Sequence, residues 1–190
     1  MPCLLSDNQK ENRVEISLEL LAKANGNENF LKNIITGDEM WVYGYDVETK
    51  MQSTQWMGKG SPWPKKAQMC QSKIKVMLVV FFDWKVIVHH EFVQGGQMVN
   101  KHLYQEVLAD LRDAVRRNRP ELWENQTRML HHNNVPSHAS LLICIYLAKH
   151  QTYVVPHPPY SVDLAPADFF LFPKFKTTLK GCHFQTIEEI

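Results

Sequence analysis

Residues 73–93, KIKVMLVVFFDWKVIVHHEFV, decide how this chain can fold. The stretch is rich in β-branched and aromatic residues, and together with QSTQWMG at 52–58 it predicts two or three strands. An earlier stretch of similar character, NIITGDEMWVYGYD at 33–46, predicts the first strand. Three consecutive strands favour an antiparallel meander, and GKGSPWPKKA at 58–67 predicts an extended loop among them.

Helices and strands alternate after the meander. Asn100 is placed to cap a helix that Pro120 closes, and its apolar residues follow a 3.6-residue period: Leu103, Val107, Leu108, Leu111 and Val115. The rest of the chain predicts a strand at 128–132, a helix from about Ser137 to Lys149, a strand at 152–159, and a last helix after Pro166 with Phe169, Phe172, Phe175 and Leu179 on its apolar face. This order matches an α/β fold of the RNase H-like type, a mixed sheet with helices on both faces.

Composition limits the classes of function. The chain has 190 residues and a formal net charge of +1, which suits one globular domain and excludes a general polycation. Any DNA contact must therefore come from local basic clusters, of which Lys174, Lys176 and Lys180 form one. The longest apolar run, 76–82, is too short to span a membrane. Four scattered cysteines and no signal peptide predict free thiols in a reducing compartment.

The turn RMLHHNNVPSHAS at 128–140 has the position of a site but lacks an acid. Strand ends that deliver polar side chains beside a helix start commonly hold metal ligands or catalytic groups. Asp38 in the first strand, position 133 after this strand and Asp168 in the last helix can meet at one edge of the sheet. The histidines allow two interpretations, ligands of a softer metal or hydrogen-bonded core residues: His131, His132 and His138.

Three motifs carry a resemblance to a known family. TGDEMW, HHNNVPSHAS and above all VVPHPPYSVDLAPADFFLFPKFKTTLKG at 154–181 resemble the catalytic domain of mariner-type transposases of the Tc1/mariner superfamily, including the transposase half of the SETMAR methyltransferase fusion. The resemblance covers nearly the whole chain. It implies an RNase H-like fold, Mg²⁺-dependent (or Mn²⁺-dependent) DNA cleavage and strand transfer, and three metal-binding aspartates.

The three aspartate positions of the family fall on Asp38, Asn133 and Asp168, with 34 residues between the second and the third. The resemblance thus implies a catalytic set of these three residues, in which Asp38 and Asp168 are the metal ligands. Two Mg²⁺ ions need carboxylate oxygens to hold them, and asparagine offers a similar shape without the charge. We therefore expect a weakened two-metal site. Asp163, in the loop before Asp168, either approaches the site or caps its own loop.

Two basic regions are candidates for DNA contact. The loop at 45–67 carries Trp56 and Trp63 among lysines, including Lys65 and Lys66, and the family's equivalent segment reaches a partner subunit. The alternative structural interpretation of this loop is a packed hairpin with one exposed basic tip. The second region follows the first long helix and contains Arg116, Arg117 and Arg119, which contact phosphates or form a solvated helix end.

The expected organisation is an N-terminal helix and linker over 1–28, opened by Ser6 and Gln9 at capping-box spacing, and an RNase H-like catalytic domain over 29–190. We expect the family's helix-turn-helix modules to be absent and the C-terminal end truncated. The partner is DNA, bound at terminal inverted repeats in the family and without sequence preference here, in the nucleus and as a possible homodimer, with no membrane.

Two functions follow as hypotheses. In the first, the chain is a transposase-type nuclease, active on phosphodiesters by descent and impaired at position 133. In the second, it is a domesticated or decayed remnant that acts only as a nonspecific DNA- or protein-binding module.

Overall fold

The computed structural model describes residues 5–62, 70–93, 97 and 99–190. Its sheet has five strands in the order β3-β2-β1-β4-β5. The strands are β1 (Ile34–Tyr43), β2 (Lys75–Phe82), β3 (Ile87–Val93), β4 (Met129–His131) and β5 (Tyr153–Val154). β1, β2 and β3 form the predicted antiparallel meander, and β4 and β5 add in parallel. This mixed sheet confirms the RNase H-like layout.

The described residues form five α-helices beside the sheet: α1 (Asp7–Gly26), α2 (Lys101–Asn118), α3 (Pro120–Glu124), α4 (Leu141–Lys149) and α5 (Phe172–Leu179). The predicted caps are confirmed. The Ser6 hydroxyl accepts from the Gln9 backbone N–H, and the Gln9 side chain accepts from the Ser6 N–H. Asn100 accepts from the N–H groups of His102 and Leu103 at the start of α2. None of the described helices has the length and apolar character needed to cross a bilayer.

Hydrophobic cores cover both faces of the sheet. On one face α2, α3 and α4 pack on the odd-numbered side of β1, and the buried residues of α2 include Val107, Leu108, Leu111 and Val115, as their spacing predicted. On the other face α5 packs over Met40 and Val42 of β1. Because side chains alternate along a strand, β1 presents Asp38 on the α5 side and Glu39 on the α2 side.

Several predicted elements differ in extent. Residues 52–58 form no strand, since Gln52 bonds to Thr49 within a turn and its amide donates to the carbonyl of Lys180. The helix predicted from Ser137 begins at Leu141, because residues 135–139 are held in a turn by backbone bonds to the carbonyl of Val135. The strand predicted at 152–159 pairs only over β5.

The start of the last helix is the largest local correction. Residues Ala167–Leu171 form a π-helical turn, in which the N–H of Phe172 bonds to the carbonyl of Ala167. Ala167 and Phe172 are five positions apart, and the wider turn lets both side chains enter the core. Phe169, predicted on the apolar face, is instead 58% exposed.

Gly37 is required by the close packing of β1 on β2. A Cβ added there would lie 2.2 Å from Cε1 of Phe81, whose ring is buried in the core. We expect Gly37→Ala to lower the free energy of unfolding by about 1 to 3 kcal/mol, since the ring has no room to move aside. Gly26→Ala is the matched control, because a Cβ there meets nothing within 4 Å. Equal stability of the two variants in denaturant titrations would contradict this packing argument.

Candidate active site

Asp38 and position 133 meet as the sequence predicted. β1 and β4 run parallel with Thr36 opposite His131, so the residues two positions further along are neighbours across the sheet. Nδ2 of Asn133 donates a hydrogen bond to Oδ1 of Asp38 over 2.9 Å. The side-chain oxygen of Asn133, Oδ1, accepts a hydrogen bond from the backbone N–H of Val135 over 3.2 Å. This turn fixes the orientation of the amide, with its NH₂ group on the carboxylate.

Asp168 lies in the π-helical turn, which packs against β1. Its charge contributes to raising the pKa of Asp38, which places the two carboxylates in the same electrostatic environment. Asp168 also lines a cleft of about 440 Å³ together with Trp41, Lys176 and Lys180. In the sequence, Lys176 and Lys180 are recognisable only as members of a local basic cluster. The structure places them beside an acid at a concave surface.

The carboxylates of the site have raised pKa values. Burial and, to a lesser extent, the charges of Glu39 and Asp168 together raise the pKa of Asp38 to about 7. Burial also raises the pKa of Asp168, while Lys176 and His157 oppose that shift. Carboxylates with raised pKa values have the character of a site built to receive positive charge.

The histidines beside the site are engaged in a buried polar network. The Tyr104 hydroxyl and Nδ1 of His132 lie 2.7 Å apart, and Nε2 of His138 lies 3.0 Å from Glu39. His131 contacts Thr36 through Nδ1 and His157 through Nε2. Within the ranges that the structure describes, no group of three or more His, Cys, Asp or Glu side chains is arranged to hold a metal ion. The hydrogen-bonded interpretation fits His131 and His132, whereas His138 faces the Glu39 carboxylate without hydrogen-bond geometry.

Tyr104 was missed by sequence reasoning, although a signal was present. It lies one turn before Leu108 on the buried face of α2, so its position in the core could have been read from the same period. Its partner His132 could not, since 28 residues separate the two.

The donors at the site fit one divalent cation better than two. Asp38 and Asp168 supply the carboxylate oxygens that Mg²⁺ and Mn²⁺ prefer. At the third position the NH₂ group of Asn133, a hydrogen-bond donor that a cation repels, points at Asp38. The set therefore does not fit a pair of ions. Which of these residues bind metal remains a prediction.

The basic candidates for DNA contact separate into three groups. Arg119 is buried and paired with Asp83, so its guanidinium is not available at the surface and the prediction that it contacts DNA is wrong. Arg116 and Arg117 are exposed, and Arg116 pairs with Asp113. Outside the described residues lie Trp63, Lys65 and Lys66.

Two further sequence candidates have clear positions. Trp56 is fully exposed on the loop after β1, which leaves its predicted partner-contacting role as a prediction. Both carboxylate oxygens of Asp163 accept from the Arg13 guanidinium of α1 at 3.0 Å. Asp163 therefore ties its loop to α1, which supports the structural interpretation of this acid.

The pKa values predict an unusual dependence of stability on pH. Burial lowers the pKa of His131 to about 4 and that of His132 to about 3, so the neutral histidines stabilise the fold above about pH 6.5 and this stability is lost as the pH falls. Asp38 acts in the opposite direction, because its raised pKa contributes stability at acid pH that is lost as the pH rises through about 7.

We therefore expect Asp38→Asn, measured without metal, to raise the free energy of unfolding at pH 8 by at least about 1 kcal/mol. The gain should shrink as the pH falls below about 7 and become small near pH 4, where the folded Asp38 carboxyl is protonated and the unfolded one, with its ordinary pKa of 3.8, is about half protonated. Denaturant titrations of both proteins from pH 4 to pH 8 measure the difference. A gain that is constant over this range would contradict the raised pKa.

Comparisons with known proteins agree with this geometry. Residues 46–125 match the family model described as "Transposase (partial DDE domain)". Over its whole length the chain is 31% identical to "Mariner Mos1 transposase" of Drosophila mauritiana, of which it covers 54%. It is 28% identical to "Histone-lysine N-methyltransferase SETMAR" of Homo sapiens, of which it covers 27%. The chain thus spans about half the length of the first curated relative and about a quarter of the second.

Solved structures give the same result. The Mos1 mariner paired-end complex with Mn matches 99% of the chain and 54% of its own, with a TM-score of 0.86 and 31% sequence identity. The catalytic domain of Mos1 mariner transposase matches 99% of the chain and 79% of its own, with a TM-score of 0.79 and 29% identity. In sequence and in fold, the chain is similar to the mariner-type transposases over the part that forms their catalytic domain.

Proposed function

We propose that the chain is a domain for metal-dependent DNA cleavage and strand transfer, the chemistry of DNA transposition, and that this activity is weakened or absent because Asn133 replaces the second acid. One observation carries the proposal: the Asn133 amide donates to Asp38 at the place where the family has a third carboxylate. The relatives' solved complexes, which include "the Mos1 mariner paired end complex with Mn", support DNA and a divalent metal as the partners.

Each residue of the site has a role in this proposal. When bound, Mg²⁺ or Mn²⁺ would stabilise the attacking and leaving oxygens of a phosphodiester. Asp38 and Asp168 would hold the cation, and Lys176 and Lys180 would bind phosphate oxygens in the cleft beside Asp168. Asn133 weakens cation binding in two ways, because it adds no charge and because its NH₂ group engages an oxygen of Asp38.

A binding-only module is the second candidate function, and the same Asn133 contact favours it. Lysines and arginines that contact only phosphates give DNA binding without sequence preference, and such binding weakens steeply with salt because counterions are released. We expect affinity for unrelated duplexes to be equal within a few-fold and to fall at least about tenfold between 50 and 200 mM salt. Anisotropy titrations would contradict this by showing strong preference for one sequence or an affinity that salt leaves unchanged.

Nicking of supercoiled plasmid in Mn²⁺ separates the two functions. We expect little nicking by the wild-type chain, clear nicking by Asn133→Asp, and none when Asp168→Ala is added to that variant. If Asn133→Asp binds Mn²⁺ but nicks no plasmid, the cleavage function is wrong and the binding-only function stands. Wild-type nicking as fast as that of Asn133→Asp would overturn the proposed impairment.

A further inference from the structure

Two phenylalanines next to Asp168 are turned toward solvent by the local backbone. In the π-helical turn Ala167 and Phe172 are buried and Leu171 packs against the same core, whereas Asp168, Phe169 and Phe170 take the outer side. Phe169 is 58% exposed and Phe170 is 49% exposed. Adjacent exposed phenylalanines form an apolar surface that a folded protein normally hides, and such a surface marks a binding site.

Two lysines lie near these rings. Nζ of Lys174 lies 3.8 Å from the centroid of the Phe170 ring, and Lys176 is exposed on the next turn of α5. Asp163, the nearest acid upstream of Asp168, is already paired with Arg13. Exposed aromatic rings, one of which has the Lys174 ammonium over one of its faces, suit a polyanion that also carries flat rings, which is the chemistry of a nucleic-acid strand.

The occupant is a single strand rather than a duplex. In a duplex the faces of the bases are stacked on one another, so a side chain can stack only on a base that is unpaired or turned out of the helix. Phe169 directly follows Asp168 in the chain, so a strand whose phosphate lies at Asp168 has its neighbouring bases within reach of the rings. Cleavage and strand transfer both leave strand ends at the active site, where bases can unpair.

We propose that Phe169, Phe170 and Lys174 form a stacking platform for unpaired bases of a DNA strand beside Asp168. The assignment rests on the proposed function, because it takes DNA to be the substrate at this site. It adds to that function a specific part, which is to hold the strand end by its bases while the acids act on the phosphate.

The test measures binding without metal and without cleavage. We expect the double variant Phe169→Leu/Phe170→Leu to bind a fluorescent oligo(dT) strand at least about tenfold more weakly than the wild-type chain, since the loss of even one base stack weakens binding by about that factor. Affinity for a duplex of equal length should stay within about twofold, because a duplex offers no unpaired base. Phe92→Leu is the matched control, because Phe92 is 44% exposed on β3.

A change in the DNA tests the same contact without altering the protein. The wild-type chain should bind oligo(dT) about tenfold more tightly than a wholly abasic strand of equal length, and the double variant should show no such preference. Lys174→Gln should leave this base preference in place and reduce the salt dependence of binding by about one phosphate contact.

Three results would overturn the platform: equal affinity of the wild-type chain for oligo(dT) and the abasic strand, an equal loss for the duplex, or an equal loss in Phe92→Leu. The binding test of the platform and the nicking test of the proposed cleavage can fail independently of each other. A platform confirmed by binding while Asn133→Asp nicks no plasmid would reject cleavage only, and the converse would reject the platform only.

Discussion

Asn133→Asp is expected to raise the affinity for Mn²⁺ or Mg²⁺ at least about tenfold, which is roughly 1.4 kcal/mol, and to turn a nearly inactive chain into one that nicks DNA. The backbone needs no change, because an aspartate at 133 can accept the same N–H of Val135 with one oxygen. Its second oxygen would then face Asp38 where the amide now donates. A donor is thereby replaced by the negatively charged ligand that a divalent cation requires.

The same substitution should destabilise the metal-free protein. Two carboxylates at the 2.9 Å contact between positions 38 and 133 repel each other in a buried setting, and the pKa of Asp38 already lies near 7. Added Mn²⁺ should reverse the loss of stability, because it binds the folded state. Asn125→Asp is the matched control, since it adds the same charge at an exposed position at the end of α3.

Calorimetric titration with Mn²⁺ and thermal unfolding with and without metal measure these effects. Equal metal affinity in the wild-type chain and in Asn133→Asp would mean that position 133 holds no metal ligand. A gain of equal size in Asn125→Asp would show that net charge, and not the geometry of the site, determines the affinity.

Arg119→Ala is expected to lower the free energy of unfolding by about 3 to 5 kcal/mol, the usual cost of removing one partner of a buried ion pair. The Arg119 guanidinium contacts both oxygens of Asp83, whose side chain is fully buried, and it also donates to the carbonyl of Asn118. Asp83 in turn accepts from the N–H groups of Lys85 and Val86 and holds the β2–β3 turn. Without the arginine, a charged carboxylate would remain buried.

Lys85→Ala is the matched control for this effect, because Lys85 pairs with Glu121 at the surface beside the buried pair. Its loss should cost less than about 1 kcal/mol. The double variant Asp83→Asn/Arg119→Ala should recover part of the stability, since it removes the uncompensated charge. Comparable losses in Lys85→Ala and Arg119→Ala, measured in denaturant, would show that the buried pair contributes no more than a surface pair.

Acid should weaken this pair. The Arg119 guanidinium and the turn N–H groups hold the pKa of Asp83 below its ordinary value, against the effect of burial. The resulting stability is present above the ordinary aspartate pKa and is lost as the pH falls through the lowered value. The acidic limb of stability in the wild-type chain therefore has two sources, the buried histidines and Asp83.

Sequence by itself determined the features that depend on residues close in the chain. The meander follows from the β-branched stretches at 34–43 and 75–93, and α2 follows from its cap at Asn100 and its apolar period. The motifs also placed Asp38, Asn133 and Asp168 as one set, through their spacing in a known family. Hydrogen bonds within turns and helices join residues a few positions apart. The pattern of residue types over a short stretch is therefore sufficient to predict them.

Tertiary structure alone decided the features that join distant segments. The hydrogen bond from the Asn133 NH₂ group to Asp38 joins positions 95 apart in the sequence. The buried pair of Arg119 and Asp83 joins positions 36 apart. Packing also selected the π-helical turn, because Ala167 and Phe172 could both reach the core only with a wider turn, which exposed Phe169. In each case the orientation of a side chain depends on the shape, charge and burial of a partner that is distant in the sequence. The residues next to it in the chain do not specify that partner.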